Sequence, residues 1–504
     1  MRRIIGITLL ILLIAVPMVF AGGDKEAAEE QKSVRVAEQV PGLITPGVWD
    51  GQAFSMNSSI YEYLVDINAE TGELDPVLAT SWKTREDGKV WEFKLRQGVT
   101  FHDGTDFTAE DVKFTIERTQ DPGLGHLKKA DFEVVASVET PDDYTVVVNL
   151  EEARPTFIYQ MTDYNMAILS SSYDYAALGE SRPMGTGPFK MQQMIPKESA
   201  ALERNENYWD PNLPHLDRIL IYFVADIDAS VSMLEDDRVD IVPFITPNIK
   251  NRLDEIDGIS VISPYQEQRF IAMAVDQEPF DDNRVRLAMK YAMDPEIIAR
   301  SVAQMELGDG AYYNETPIMN ALAEYKEIPH RGRDIERAKE LLAEAGYPNG
   351  LSVDLTYASD HPFGRELAQT VQELAAPAGF DIRLRGYTRD VYLSQYWLNV
   401  PFSITGWGGR IDPSMLLALA FKGGGSWNET HMDEPVINDL IDKIASEVDP
   451  DQRTMYYHEL QEWFHENGAL LNVQVPYLVA INDSIVDYRQ PLTMLPQYKY
   501  MDIK

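Results

Sequence analysis

From about residue 280 the apolar residues keep changing period, and this alternation restricts the possible folds more than any other feature. Within 285–293, apolar side chains fall at 285, 288, 289, 292 and 293, one face of a helix. Asp334 can cap a second helix, with Ile335, Ala338, Leu341, Leu342 and Ala345 as its apolar face; Gly346 and Pro348 end it in the expected order. Residues 351–357 then alternate as a strand, and a helix near 362–378 and a strand at 382–384 follow. Such alternation predicts a β-α-β layer. Residues 33–150 read mainly as strands and turns. Val90–Leu95 alternates apolar and polar, and 144–150 is β-branched after the turn signal Pro141-Asp142-Asp143. Thr108 and Asp111 resemble a capping box opening a short helix. The expectation is α/β lobes with a β-rich insertion. In such folds ligands lie between domains or at the carboxyl ends of strands.

The first residues suggest an address. Arg2 and Arg3 precede an apolar run from residue 4 to 20, and Val19-Phe20-Ala21 suits a signal peptidase. Residues 1–21 are therefore expected to be a signal peptide, and the charged, apolar-poor 22–32 a disordered leader. An uncleaved anchor is the alternative; the run is short for a span of about 20 apolar residues. Lipid attachment needs a cysteine, and the chain has none. That absence also removes disulfides, thiolate metal sites and cysteine nucleophiles. The remaining length, about 480 residues, exceeds one ordinary core and predicts two or three domains.

Acidic residues number 81 against 44 basic, a net charge of −37. Such a surface repels nucleic acid and anionic membranes. The acids are spread along the chain and mark no site. An anionic ligand would need a local positive device.

Motifs for catalysis are scarce. His458 and His465 stand seven residues apart on an expected helix, too far for one metal, and Glu462 occupies the place of a zinc-protease second histidine. His102-Asp103-Gly104 reads as a turn. Gly185-Thr186-Gly187 and Gly423-Gly424-Gly425 lack phosphate-loop and dinucleotide spacing. No metal, no cofactor and no catalytic residue is expected. Trp407 differs from the other aromatics, because Gly406, Gly408 and Gly409 leave open backbone beside it and Arg410 adds a charged fork.

Several stretches together closely resemble the family 5 extracellular solute-binding proteins, the peptide, nickel and oligopeptide receptors of ABC importers. They are Leu74-Asp75-Pro76 through Trp82, Gly88-Lys89-Val90-Trp91 through Gly104, and Phe107-Thr108-Ala109-Glu110-Asp111-Val112. Gly185-Thr186-Gly187-Pro188-Phe189, Asn205-Glu206-Asn207-Tyr208-Trp209, Phe280-Asp281-Asp282 through Arg286, and Leu342-Ala343-Glu344-Ala345-Gly346-Tyr347-Pro348 continue the match in order. The resemblance implies a two-lobed clamshell that closes on a ligand by hinge bending. Its first lobe would comprise 33–58, 185–270 and 475–504, with a β-rich domain, 59–184, inserted. The second lobe would be 271–474. A periplasmic, monomeric receptor that is not an enzyme is implied, with an ABC permease as partner and an oligopeptide or anionic solute as ligand. An extracytoplasmic hydrolase or a non-transport sensor on the same scaffold is the alternative.

In the peptide receptors of that family an Asp three residues after the motif Trp pairs with the peptide ammonium. Here that position is Arg410, which suits a carboxylate. Two readings stay open: Arg410 meets an anionic ligand, or it pairs with Asp412 or another acid to order the loop. The candidate ligand-binding residues are Arg410, Trp407, Gly408, Asp412, Trp49 and Tyr61. Asp412 before Pro413 also suits a turn. Core packing competes as a role for Trp407, Trp49 and Tyr61.

Overall fold

The computed structural model describes residues 31–48, 53–69, 71–305, 307–308, 310–361, 363–410 and 412–504. The expected signal segment, most of the leader and Trp49 lie outside them.

Two large sheets organise residues 32–504. The first has seven strands in the order Ile259–Ile262, Val479–Asn482, Ile241–Pro243, Ser33–Glu38, Arg218–Phe223, Ser199–Arg204, Phe189–Ile195. Its central strand, Ser33–Glu38, runs parallel to both neighbours, and the flanking pairs are antiparallel. The second has six strands: Tyr312–Asn314, Leu470–Pro476, Gln266–Met273, Phe402–Trp407, Leu351–Ala358, Phe380–Tyr387. The last three are parallel.

Burial follows the sequence pattern. Gln266–Met273 is buried at nearly every position, as a central strand covered on both faces must be. Val90–Leu95 instead buries Trp91, Phe93 and Leu95 and presents its other face outward. It belongs to a four-stranded antiparallel sheet, Ala79–Arg85, Val90–Leu95, Thr145–Leu150, Val135–Asp142, which has its own core around Phe93, Phe101, Phe107 and Phe132. This is the β-rich insertion. Its helix Ala109–Arg118 starts on the capping box of Thr108 and Asp111. The helix Ile335–Glu344 is capped by Asp334, and Gly346 takes the left-handed φ of +98° that ends it.

Glu62 explains two of the glycine and aromatic motifs. Its carboxylate accepts from the Tyr208 hydroxyl at 2.7 Å, the Trp209 indole at 3.1 Å and the Thr186 hydroxyl at 2.9 Å. Gly185 sits against the Ile60 carbonyl so closely that a Cβ there would lie 2.1 Å from the oxygen. His102 and Asp103 form the expected turn, where Thr105 N donates to Asp103 at 2.9 Å.

The chain passes between the two large sheets at 263–265 and at 477–478. These crossings lie side by side: Tyr477 N donates to Tyr265 O at 2.9 Å, and the rings stack 4.5 Å apart. The parallel strands of each sheet end toward these crossings, placing Glu38, Phe223 and Pro243 on one edge and Ala358, Tyr387 and Trp407 on the other.

Candidate functional site

Phe402–Trp407 delivers the loop 408–410 to the carboxyl edge of the six-stranded sheet. Trp407, its last residue, turns its indole into the core and is 4% exposed. Nε1 donates to Glu429 Oε1 at 2.7 Å, while Trp397 Nε1 donates to Oε2 at 3.0 Å. Trp427 packs 5.7 Å from the Trp407 ring. Burial pushes the Glu429 carboxyl up, against the hydrogen bonds from Thr405, Trp407 and Trp397. Trp407 thus anchors the loop from beneath.

The two glycines that follow touch the other lobe. A Cβ on Gly408 would lie 2.3 Å from Met494 Sδ, and one on Gly409 would lie 2.5 Å from Leu492 Cδ2. Met494 belongs to the core of the seven-stranded sheet. A side chain at either position would have to displace Met494 or Leu492.

Arg410 is half-buried at the same junction. Its Nη1 donates to Gly409 O at 3.1 Å, and its guanidinium stands 5.8 Å from the Tyr164 ring centre. Among the described residues no carboxylate comes within ion-pair distance of it. The pairing with Asp412 is not made. Asp412 is 3% exposed, and its Oδ1 accepts from Ser414 N at 2.8 Å and from the Tyr457 hydroxyl at 3.0 Å. It orders the turn into the helix Ser414–Ala420, whose N-cap is Pro413.

Thr162, Asp163, Tyr164, Gly409, Arg410, Met415 and Thr493 line a small cavity of about 10 Å³, room for about one water. Asp163 is already engaged, by Lys128 at 3.4 Å and by Asn165 N at 2.9 Å. Burial alone would raise its carboxyl. Lys128 and then Arg410 outweigh that and hold it below the usual range. Burial raises the Tyr164 hydroxyl, and Arg410 opposes this by charge and hydrogen bond.

The structure therefore brings Arg410 to the cavity wall and Gly408 to the lobe contact. Trp407 and Asp412 lie beneath them. Tyr61 sits apart, 1% exposed in the first lobe's core, with its ring against Gly185. Asp163, Tyr164 and Thr493 carry no local signal in the sequence: the adjacent pair Asp163-Tyr164 and the distant Thr493 meet at the cavity only in the fold. No group of three or more His, Asp or Glu that could hold a metal is found among the described residues.

The fold is two-lobed and α/β, with paired crossings between its two large sheets. The chain belongs to the bacterial extracellular solute-binding proteins, family 5, whose middle-region model matches residues 73–428. It is 27% identical over 439 residues to the glutathione-binding protein GsiB of Escherichia coli K12, covering 84% of each chain. It is 28% identical over 468 residues to heme-binding protein A of Haemophilus influenzae, covering 84% of this chain and 83% of that one. The fold is shared with the PBP AgaA of A. tumefaciens R10 in complex with agropinic acid. There the TM-score is 0.84 and identity 24%, over 94% of this chain and 99% of that one. The protein is a solute-binding component of the ABC-importer type, and its family is one of extracellular solute-binding proteins.

Proposed function

We propose that this receptor captures a small solute bearing a carboxylate or another anionic group, that Arg410 grips that group, and that the solute is handed on unchanged to an ABC permease. One observation carries the reading: a guanidinium on a lobe-contacting loop, beside a cavity, with no carboxylate of its own within ion-pair distance among the described residues. In a chain of net charge −37 such a cation is the local positive device an anion needs. Glutathione, haem and agropinic acid, the ligands named for the relatives, all carry carboxylates, which a guanidinium fork holds bidentately.

The reading includes a first lobe of 33–58, 185–270 and 475–504, an insertion of 59–184 and a second lobe of 271–474; the membership of the three sheets supports this division except that Gln266–Met273 and Leu470–Pro476 lie wholly in the six-stranded sheet, which moves the two crossings to 263–265 and 477–478. It also includes export by a cleaved signal at 1–21, action as a monomer and absence of catalysis. Arg410→Ala tests the site. Calorimetry with the solute that co-purifies with the wild type should show binding weakened roughly 10- to 100-fold, the worth of a charged hydrogen-bonded group. The ligand-free variant should still fold cooperatively, with some loss of melting temperature because Arg410 helps hold the buried Asp163 charged. An unaltered dissociation constant would sink the assignment.

A further inference from the structure

Lys128, Asp131 and Asp163 form a charged group inside the insertion, with side chains only 5%, 6% and 5% exposed. Phe132 and Met161, beside them in the chain, belong to the insertion's core. Lys128 Nζ pairs with Asp131 and lies 3.4 Å from Asp163. Two carboxylates thus share one ammonium, which leaves one negative charge uncompensated. Such a charge is costly away from water. His126, whose Nδ1 accepts from Lys128 N at 3.1 Å, does not supply the missing cation, because burial pushes its imidazole down to about 4.

The second lobe brings that cation. Arg410 hydrogen-bonds the Tyr164 hydroxyl, and its charge acts on both Asp163 and Lys128. Two further contacts join the same surfaces: Ser414 Oγ donates to Thr156 Oγ1 at 3.5 Å, and the helix Ser414–Ala420 packs against Lys129–Phe132. The first lobe adds Thr493. Its Oγ1 is buried with no hydrogen-bond partner, and it lines the same small cavity as Asp163 and Arg410. One water fits that space. It can accept from the guanidinium and donate to the Asp163 carboxylate and the Thr493 hydroxyl, which satisfies all three.

We propose that Arg410, Asp163 and Thr493, joined by one water in this cavity, form a latch that holds the second lobe against the insertion and the first lobe, so that the receptor closes part of the time with no solute present. The insertion then acts as a third jaw. Its buried charge group is neutral overall only when Arg410 is seated. A guanidinium carries five N–H donors, so the latch leaves donors over for a solute. The apparent affinity for any solute scales with the fraction of receptor already closed. The latch is judged on solute-free protein, so it and the anion reading at Arg410 can each fail alone.

The chain has no cysteine, so Glu117→Cys on the insertion and Asp439→Cys on the second lobe, both at exposed positions, take spin labels at those two sites only. Pulsed EPR then reads the distance between them in the full chain freed of solute. The doubly labelled protein should show two distances, one that of the structure described above and one longer. Arg410→Ala and Asp163→Asn should each lower the ratio of closed to open roughly 10-fold, and Thr493→Val about 3-fold. The double variant Arg410→Ala/Asp163→Asn should be no more open than Arg410→Ala, since both changes break the same contact. Should Asp163→Asn fail to fold, Arg410→Ala/Thr493→Val decides the matter in the same way. A single distance in the solute-free protein, a ratio unchanged by Asp163→Asn or by Thr493→Val, or losses that simply add in the double variant overturn the proposal.

Discussion

Replacing Gly408 by alanine should weaken ligand binding while leaving each lobe folded. The added Cβ would lie 2.3 Å from Met494 Sδ, 2.8 Å from Cε and 3.3 Å from Cγ. The sulfur is more than an ångström inside a normal contact of about 3.5–4 Å. Methionine is flexible and will move. Met494 is only 9% exposed, however, so its movement disturbs the first lobe's core. Overpacking of this kind costs about 1–3 kcal/mol. The contact joins the two lobes, so opening relieves it and the cost falls on the closed form. A ligand that binds through closure then loses roughly 5- to 150-fold in affinity. Calorimetry on the variant reads the loss, and small-angle scattering reads whether ligand still compacts the protein. Met494→Ala in the same chain makes room and should restore most of the affinity. Unchanged affinity in Gly408→Ala, or no rescue by Met494→Ala, would refute the view that this loop seals the closed state.

Gly185→Ala should be more damaging to stability, because its Cβ would lie 2.1 Å from a backbone oxygen that cannot rotate away. A loss of about 3 kcal/mol or more is expected in denaturant unfolding, and a loss below about 1 kcal/mol would contradict the packing described. Glu429 has its carboxyl raised by burial, so its contribution is greatest at low pH and is lost as pH rises through the folded value. The stability of wild type relative to Glu429→Gln should therefore grow as pH falls from neutral toward 4.5, the group's ordinary value; a gap independent of pH would count against it. Asp163 is held low, so its contribution has the opposite sign. Asp163→Asn should be destabilised at neutral pH, with the difference fading as pH falls below 3.8, and equal stability at neutral pH would show that Lys128 and Arg410 do not hold it.

Local signals along the chain were informative where one element could satisfy itself. The cap at Asp334, the alternation in Val90–Leu95 and the strand beginning at Leu351 all depend on neighbours a few residues away, and the structure has them in place. Residues 362–378 resolve into a helix, Gly364–Ala375, and a short turn to Ala378. The site was legible only in part. Arg410 stood out because a charged fork among glycines is locally odd. What surrounds it did not, since Asp163, Tyr164 and Thr493 meet it only after distant segments pack. Trp407 shows the converse. Its glycine neighbours suggested an open indole face, yet the buried acceptor Glu429 and two further tryptophans hold it inward, and nothing near residue 407 announces them.

The central claim is that an intact, anionic solute is held beside Arg410. Mass spectrometry of material released from the full-length protein, purified without denaturation, tests it most directly. One small solute is expected at close to one per protein, chemically intact, carrying at least one acidic group, and strongly depleted in the Arg410→Ala protein prepared in the same way. A solute with no acidic group, or equal occupancy of the Arg410→Ala protein, would contradict it.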